Sequence, residues 1–317
     1  MRKLVQKLRY DLGRLNFHKR INDLSWHIDR TETRERILYH MQNQKRLQCL
    51  PQEEKRVHFI HIFGTKNVGD EFCGPEFYFS DLFRDYAQYV HEFRAVEYQS
   101  IFRDDVVVIG GGGLLDFDDS WNEIIDRCAE RSDHVVLWGV GTNAQIGRNA
   151  ARSSVDFSKM ELIGVRDHQT QLPYLPCASC MIPQLEQKHS IRRRIGVIEH
   201  RSFPIHAFPQ YEKMRNETED ICSILQFIGS SEVIITNSYH MWYWATLMNR
   251  KVILFEKIST KFDHLRYPPV YYSGDLEADV ARCETHPDAL EEARRLNRDF
   301  AEKVLRLLDG SEAAEDR

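Results

Sequence analysis

Long apolar runs are absent from this sequence of 317 residues. No stretch reaches the ~20 apolar residues that a helix needs to span a bilayer. The opening stretch MRKLVQKLRYDLGRL is not typical of a signal peptide, because charged residues interrupt its apolar positions every few residues. We therefore expect a cytoplasmic protein, with the inner face of the membrane as the alternative location.

Cysteine is scarce and shows no metal-binding spacing. The chain has 7 cysteines, an odd number scattered along its length, which favours reduced thiols over a disulfide framework. Cys177 and Cys180 form a lone CxxC, and no second pair follows at the spacing of a zinc ribbon. Residues 181–183 (MIP) follow directly, whereas a thioredoxin-like pair would open a helix. We favour a structural role for both cysteines over metal or redox chemistry, and we predict no metal and no cofactor.

A strong charge bias is also lacking. The formal net charge is -5, so the chain as a whole carries no basic footprint for nucleic acid. Hydrophobic residues make up 42% and charged residues 29%, which is ordinary for a globular protein. The length is sufficient for two domains.

Residues 1–54 have a helical and polar pattern. The first twenty residues hold seven Lys or Arg against one acidic residue, Asp11. Leu4, Leu8, Leu12 and Leu15 recur at helical spacing. A helix packed on the body is the favoured interpretation, and peripheral contact with an anionic lipid surface is the alternative.

From Lys55 onwards, strands that end in glycine alternate with helical segments. RVHFIHIFG, DDVVVIGGGG and HVVLWGVG are such strands, while residues 75–90 are predicted helical and residues 93–100 a short strand. The alternation predicts an α/β fold of two Rossmann-like domains facing a cleft. We place the first domain at 55–155 and the second at 156–317, where residues 286–308 form a closing helix.

Polar residues follow the predicted strands, at the edge where open parallel sheets bind ligands. The first half supplies glycine and acid there, and the second half supplies cations and a histidine. The candidates from the two halves are Asn67, Asp70, Glu71, Gly111, Gly112 and Gly113, then Arg166, Arg201, Asn237, Ser238, His240 and Lys261. Cationic side chains facing glycine turns suit an anionic substrate, and the two acids suit a general base or a grip on sugar hydroxyls.

Each candidate also has a structural interpretation that the sequence leaves open. The four consecutive glycines can serve tight strand–helix packing, and Asp70 and Glu71 can cap a helix. His240 can satisfy a turn, and the aromatic run at residues 241–244 (MWYW) is expected to be a buried helix face.

Four motifs, in order, resemble the polysaccharide pyruvyl transferases. They are NxGDE at residues 67–71, GGGxL at 111–115, VRD at 165–167 and the segment TNSYH at 236–240. The resemblance covers most of residues 57–265. It implies a fold similar to GT-B glycosyltransferases, and transfer of the enolpyruvyl group of phosphoenolpyruvate onto a sugar of a surface polysaccharide as a ketal.

The resemblance also implies roles for individual residues. His240 would be the general acid that protonates the methylene carbon, and Arg166 would bind phosphate or carboxylate. Lys261 fits the phosphate-binding lysine better than Lys257 does. A histidine with a pKa near ~6.5 suits proton transfer near neutral pH.

One position departs from the family pattern. Many members have an arginine two residues before the histidine, where this chain has Ser238, and Arg201 is the candidate substitute. The acceptor would be a sugar or glycan, free, lipid-linked or nucleotide-linked, and Phe117 and Trp121 could stack on it. Two other functions stay open: a GT-B glycosyltransferase using a nucleotide sugar, and a non-catalytic glycan-binding protein.

Overall fold

The computed structural model describes residues 55–144, 146, 154–218 and 220–310. The prediction of a basic helical segment at residues 1–54 lies outside these residues. The chain from Pro51 onwards forms one compact unit. None of the helices in the described ranges is long and apolar enough to cross a membrane.

Six parallel strands form the first sheet. They are β1 (Arg56–His61), β2 (Ala87–Glu92), β3 (Val106–Ile109), β4 (Gly112–Leu115), β5 (His134–Thr142) and β6 (Leu162–Val165). The order is β2-β1-β3-β5-β4, and β6 pairs with β5. Near-continuous Val and Ile runs form the central strands because helices and loops bury both faces of a parallel sheet. β6 belongs to this sheet although it follows the predicted boundary at residue 155.

Five parallel strands form the second sheet. They are β7 (Arg193–Glu199), β8 (Glu212–Arg215), β9 (Ser231–Thr236), β10 (Lys251–Leu254) and β11 (Val270–Tyr271). The order is β11-β10-β9-β7-β8. The prediction of an α/β fold with two parallel, Rossmann-like sheets is therefore confirmed.

Seven α-helices accompany these sheets in the described part of the chain. They are α1 (Val68–Glu71), α2 (Glu76–Phe79), α3 (Asp119–Arg131), α4 (Ile221–Gly229), α5 (Tyr239–Leu247), α6 (Leu276–Arg282) and α7 (Ala289–Asp309). Asp118 is the N-cap of α3, and its carboxylate accepts the Trp121 N–H at 3.1 Å. All nine residues of α5 are buried, as expected for its aromatic run.

The segment predicted as one helix at residues 75–90 is not one helix. Only α2 is helical there, and the chain enters β2 at Ala87. Residues 93–100, predicted as a strand, hold two 3₁₀ turns instead. Pairing of β2 with β1 along all six residues overrides the local helical pattern, because sheet hydrogen bonds and burial outweigh propensity.

The closing helix α7 contacts the cores of both halves. Ala289 and Ala293, near its start, lie in the core below the second sheet, with the aromatic residues of α5. Phe300 and Val304, near its end, lie in the core below the first sheet. The indole Nε1 of Trp138 in β5 donates to Oδ1 of Asn297 at 2.8 Å. One helix therefore packs against both sheets and connects their cores.

Candidate functional site

A cavity of about 70 Å³ lies where the carboxyl ends of the two sheets meet, with room for roughly five water molecules. Both halves contribute to its wall. The lining residues are Ile62, Asn67, Asp70, Cys73, Gly112, Gly113, Trp121, Asn143, Arg166, His200, Ser238, Tyr239, His240 and Lys261. Eight of the twelve predicted site residues are among them: Asn67, Asp70, Gly112, Gly113, Arg166, Ser238, His240 and Lys261.

Arg166 follows β6 and is 4% exposed. Its guanidinium carbon lies 3.7 Å from the centre of the Tyr239 ring, a cation–π contact. Among the described residues no carboxylate lies within ion-pair distance of it, and its Nε has no hydrogen-bond partner. A buried cation without a carboxylate in ion-pair contact is costly, so this site is suited to an anionic ligand.

Two glycines make room for this guanidinium. A Cβ at Gly141 would lie 2.6 Å from the Nε of Arg166, and a Cβ at Gly113 would lie 3.0 Å from its Nη2. The strand-to-glycine pattern therefore serves the close approach of Arg166 to the first sheet.

Lys261 enters from a 3₁₀ turn, Thr260–Phe262, beyond β10. The turn is tied to the loop after β5, because Ala144 N–H donates to the Thr260 hydroxyl at 2.9 Å. Burial, followed by the charge of Arg166, lowers the pKa of Lys261 to about 8, while Asp70 opposes the shift. The ammonium is thus mostly charged at pH 7. Lys257, in contrast, pairs with Asp263 and does not line the cavity.

His240 is the second residue of α5 and is 5% exposed. Burial, followed by the charges of Arg166 and Lys261, holds its pKa well below the ordinary value of 6.5. The expectation of a pKa near that value is therefore wrong for the free protein, where the ring is neutral. A Cβ at Gly69 would collide with this imidazole, so the glycine of NxGDE makes space for the histidine.

The two consecutive acids, Asp70 and Glu71, are placed differently. Asp70 lines the cavity and accepts the Thr65 hydroxyl at 3.2 Å. Burial raises its pKa, although the nearby cations Lys261 and Arg201 oppose the shift. Glu71 does not line the cavity; it accepts the Thr65 backbone N–H at 2.7 Å and so holds the loop before α1.

Asn67 and Ser238 meet through a residue that the sequence analysis missed, Asn216. Its Nδ2 donates to Oδ1 of Asn67 at 3.0 Å and to the Ser238 hydroxyl at 3.1 Å. Asn216 follows β8, a short polar strand that shows no apolar alternation. This buried amide therefore joins the loop at β1 to the turn after β9 and holds two walls of the cavity together.

Asn237 has a supporting role. Its Oδ1 accepts the His200 N–H at 2.7 Å, and its Nδ2 donates to the Phe203 carbonyl at 2.8 Å. Arg201 does not line the cavity, and its backbone N–H donates to Oδ1 of Asn216 at 2.8 Å. Asn237 and Arg201 thus hold neighbouring segments in place and do not line the cavity.

The glycines after β3 divide in the same way. Gly112 and Gly113 line the cavity, and Gly112 has a φ of 102°, which favours glycine. Gly111 faces the protein instead, because a Cβ there would lie 2.8 Å from the Cys73 carbonyl.

His200 and Asn143 also line the cavity, and both follow strands, so the strand-end signal could have selected them. Burial, followed by the charges of Lys261 and Arg201, lowers the pKa of His200 to about 3, and the ring is neutral. Trp121 also lines the cavity, and its ring centre lies 4.3 Å from that of Phe117. Within the described ranges no group of three or more His, Cys, Asp or Glu is arranged to hold a metal ion.

Comparisons with known proteins add little to this geometry. No protein-family profile matches the chain, and no curated protein matches it. Among solved structures, it is similar to an uncharacterised protein from Klebsiella pneumoniae subsp. pneumoniae. The identity is 10% and the TM-score 0.46, over 75% of this chain and 98% of that one. The likeness carries no functional information.

Proposed function

We propose that this protein is a pyruvyl transferase, which moves the enolpyruvyl group of phosphoenolpyruvate onto a sugar as a ketal. The observation that carries the proposal is the meeting of Arg166, Lys261 and His240 in one small cavity. The two parallel sheets joined by α7 are compatible with the GT-B-like pairing that the family resemblance implies.

The cation pair suits a compact donor with carboxylate and phosphate groups. The planar guanidinium of Arg166 can bind either group through two parallel hydrogen bonds, and Lys261 adds a point charge. The same cavity holds His240, which can supply the proton that the methylene carbon needs. This combination favours pyruvyl transfer over the alternative of a glycosyltransferase.

The reaction requires three proton transfers. One acceptor hydroxyl adds to C2 of the enolpyruvyl group while the methylene carbon gains a proton and becomes a methyl group. Phosphate then leaves, and a second hydroxyl closes the ketal; its proton leaves with the phosphate. The proposal assigns the carbon proton to His240 and acceptance of a hydroxyl proton to Asp70.

The donor itself prepares His240 for this role. In the free protein burial, and after it the charges of Arg166 and Lys261, holds the pKa of the ring low and keeps it neutral. A bound trianion offsets those cations and raises the pKa of the ring, so that the histidine gains its proton only when the donor is present. The raised pKa of Asp70 makes its carboxylate a stronger base once the acceptor hydroxyl arrives.

The acceptor would lie on the side of Trp121. Its indole lines the cavity, and the neighbouring Phe117 ring extends the aromatic surface. Aromatic faces pack well against the apolar faces of sugars.

The test is a reaction with phosphoenolpyruvate and a panel of sugars, followed by mass spectrometry for the gain of one pyruvyl unit. Lys261→Met is expected to weaken phosphoenolpyruvate binding measured by calorimetry, while the matched control Lys257→Met binds normally. His240→Gln is expected to bind the donor without turnover. Retained turnover in that variant contradicts the acid role.

Melting temperatures separate the other functions. A ligand at ~100 times its Kd stabilises the folded protein by about 2.7 kcal/mol. Stabilisation by nucleotide sugars but not by phosphoenolpyruvate would indicate a glycosyltransferase. Stabilisation by neither would favour the non-catalytic glycan-binding alternative.

A further inference from the structure

Four buried side chains form a row of hydrogen bonds that ends on His240. The indole Nε1 of Trp244 lies 3.1 Å from the hydroxyl of Ser179. That hydroxyl lies 3.3 Å from the Sγ of Cys177, which lies 3.6 Å from the Nε2 of His240. None of Trp244, Ser179 and Cys177 lines the cavity, so the row approaches the histidine from behind.

The chemistry of these groups fixes the direction of the row. An indole N–H can only donate, so the Ser179 oxygen accepts it and turns its own hydrogen towards Cys177. Burial raises the pKa of the Cys177 thiol, which therefore keeps its hydrogen. Among the described residues, the acceptor within reach of that S–H is Nε2 of His240.

An accepting Nε2 determines where the hydrogen of a neutral imidazole sits. A neutral ring carries one hydrogen, so a ring that accepts at Nε2 carries it on Nδ1. Nδ1 lies on the Gly69 side of the ring. It is not among the fully buried polar atoms that lack a hydrogen-bond partner, so it keeps contact with the cavity that His240 lines. We infer that Cys177 is a positioning residue that holds His240 in the tautomer with its hydrogen on Nδ1, facing the cavity.

The consequence for catalysis rests on the proposed function. The Nδ1 hydrogen faces the enolpyruvyl donor and bonds to one of its oxygens while the ring is neutral. Once the donor's charges have raised the pKa of the ring, Nε2 takes up a proton from solvent and the Cys177 S–H turns away from it. The Nδ1–H bond then breaks and the C–H bond of the new methyl group forms. The ring is left neutral, with its remaining hydrogen on Nε2.

Nuclear magnetic resonance of the free protein tests the tautomer without any substrate. Selective ¹³C,¹⁵N-histidine labelling gives one signal set for each of the 14 histidines, and His240→Gln identifies the set of residue 240. We expect the Nδ1–H tautomer in the wild type and in Cys177→Ser, which keeps a donor. Cys177→Ala is expected to shift the ring towards Nε2–H.

Cys180→Ala is the matched control, because Cys180 is a buried thiol of the same CxxC whose Sγ contacts Asn297 at 3.4 Å. It is expected to leave the His240 signals unchanged. An Nε2–H tautomer in the wild type, or equal spectra for Cys177→Ala and the wild type, would overturn the inference. The tautomer is read from the wild-type spectrum, and His240→Gln serves to assign its signals, so a poorly folding Cys177 variant does not remove the test.

Kinetics give a separate readout. If pyruvyl transfer occurs, Cys177→Ala is expected to lower kcat by about ten- to a hundredfold with little change in KM for the donor, and Cys177→Ser to restore most of it. Absence of transfer in the wild type would refute the proposed function but not the tautomer. Transfer with an unaffected kcat in Cys177→Ala would refute the positioning role alone.

Discussion

A buried pair of histidines, His58 and His91, is expected to make the folded protein less stable in acid. The Glu97 N–H lies 3.4 Å from Nδ1 of His91, whose Nε2 lies 2.9 Å from Nδ1 of His58. Nε2 of His58 lies 3.1 Å from a carboxylate oxygen of Asp105. Because the backbone N–H can only donate, Nδ1 of His91 accepts and its Nε2 carries the hydrogen, which it donates to Nδ1 of His58. The hydrogen of His58 is then on Nε2, which donates to Asp105. A further proton on His91 would place a hydrogen against the Glu97 N–H.

The geometry gives the direction and the size of the effect. Burial, followed by the charge of His58, holds the pKa of His91 well below 6.5 in the folded protein. The stabilising contribution of the neutral ring is therefore complete above the unfolded pKa and is lost as the pH falls below it. If the ring stays neutral in the folded protein, lowering the pH from ~7.5 to ~5.5 reduces the unfolding free energy by about 1.4 kcal/mol, because the unfolded chain gains a proton on this ring.

Urea unfolding at those two pH values measures this loss. His91→Gln is expected to be less stable than the wild type at both pH values. Its loss of unfolding free energy between the two pH values should be smaller than the wild-type loss by about 1.4 kcal/mol. His206→Gln is the control, because the exposed ring of His206 is solvated in the folded and unfolded chain alike. An equal pH dependence in His91→Gln and the wild type would refute the assignment of a neutral His91.

Two further substitutions test the frame of the cavity. Asn216→Ala removes the hydrogen bonds to Asn67 and Ser238 and is expected to lower the unfolding free energy by about 1–3 kcal/mol, measured by urea titration. A change within error would contradict the bridging role. Gly69→Ala places a Cβ against the His240 ring and is expected to displace it, which a shift of the His240 resonances would reveal. Unchanged resonances would mean that the segment around Gly69 moves and the His240 ring does not.

Much of the fold could be predicted from the sequence, because buried parallel strands show as continuous runs of Val and Ile that end in glycine. Residues 87–90 were misassigned, since only their pairing with β1 makes them a strand. β8 was missed for a related reason. Its residues are half-buried or exposed, so no apolar pattern marks them, and Asn216 at its end was missed too.

The site was predictable to the extent that strand ends converge. Arg166, His240 and Lys261 follow three different strands and still meet in one cavity. Asp70 and Glu71 could not be told apart, since they are neighbours of one chemical type and only the orientation of α1 separates them. The neutral state of His240 could not be foreseen either, because it depends on burial and on charges from distant parts of the chain.

The position of α7 has a consequence for biosynthesis. Val57 and Phe59, near the start of the first sheet, share a core with Phe300 and Val304, near the end of the chain. At translation rates of about 5–20 residues per second, β1 waits on the order of ten seconds or more before those partners leave the ribosome. Until then Phe79 and Phe83, which leave the ribosome soon after β1, supply part of this core, and the part that α7 fills stays open.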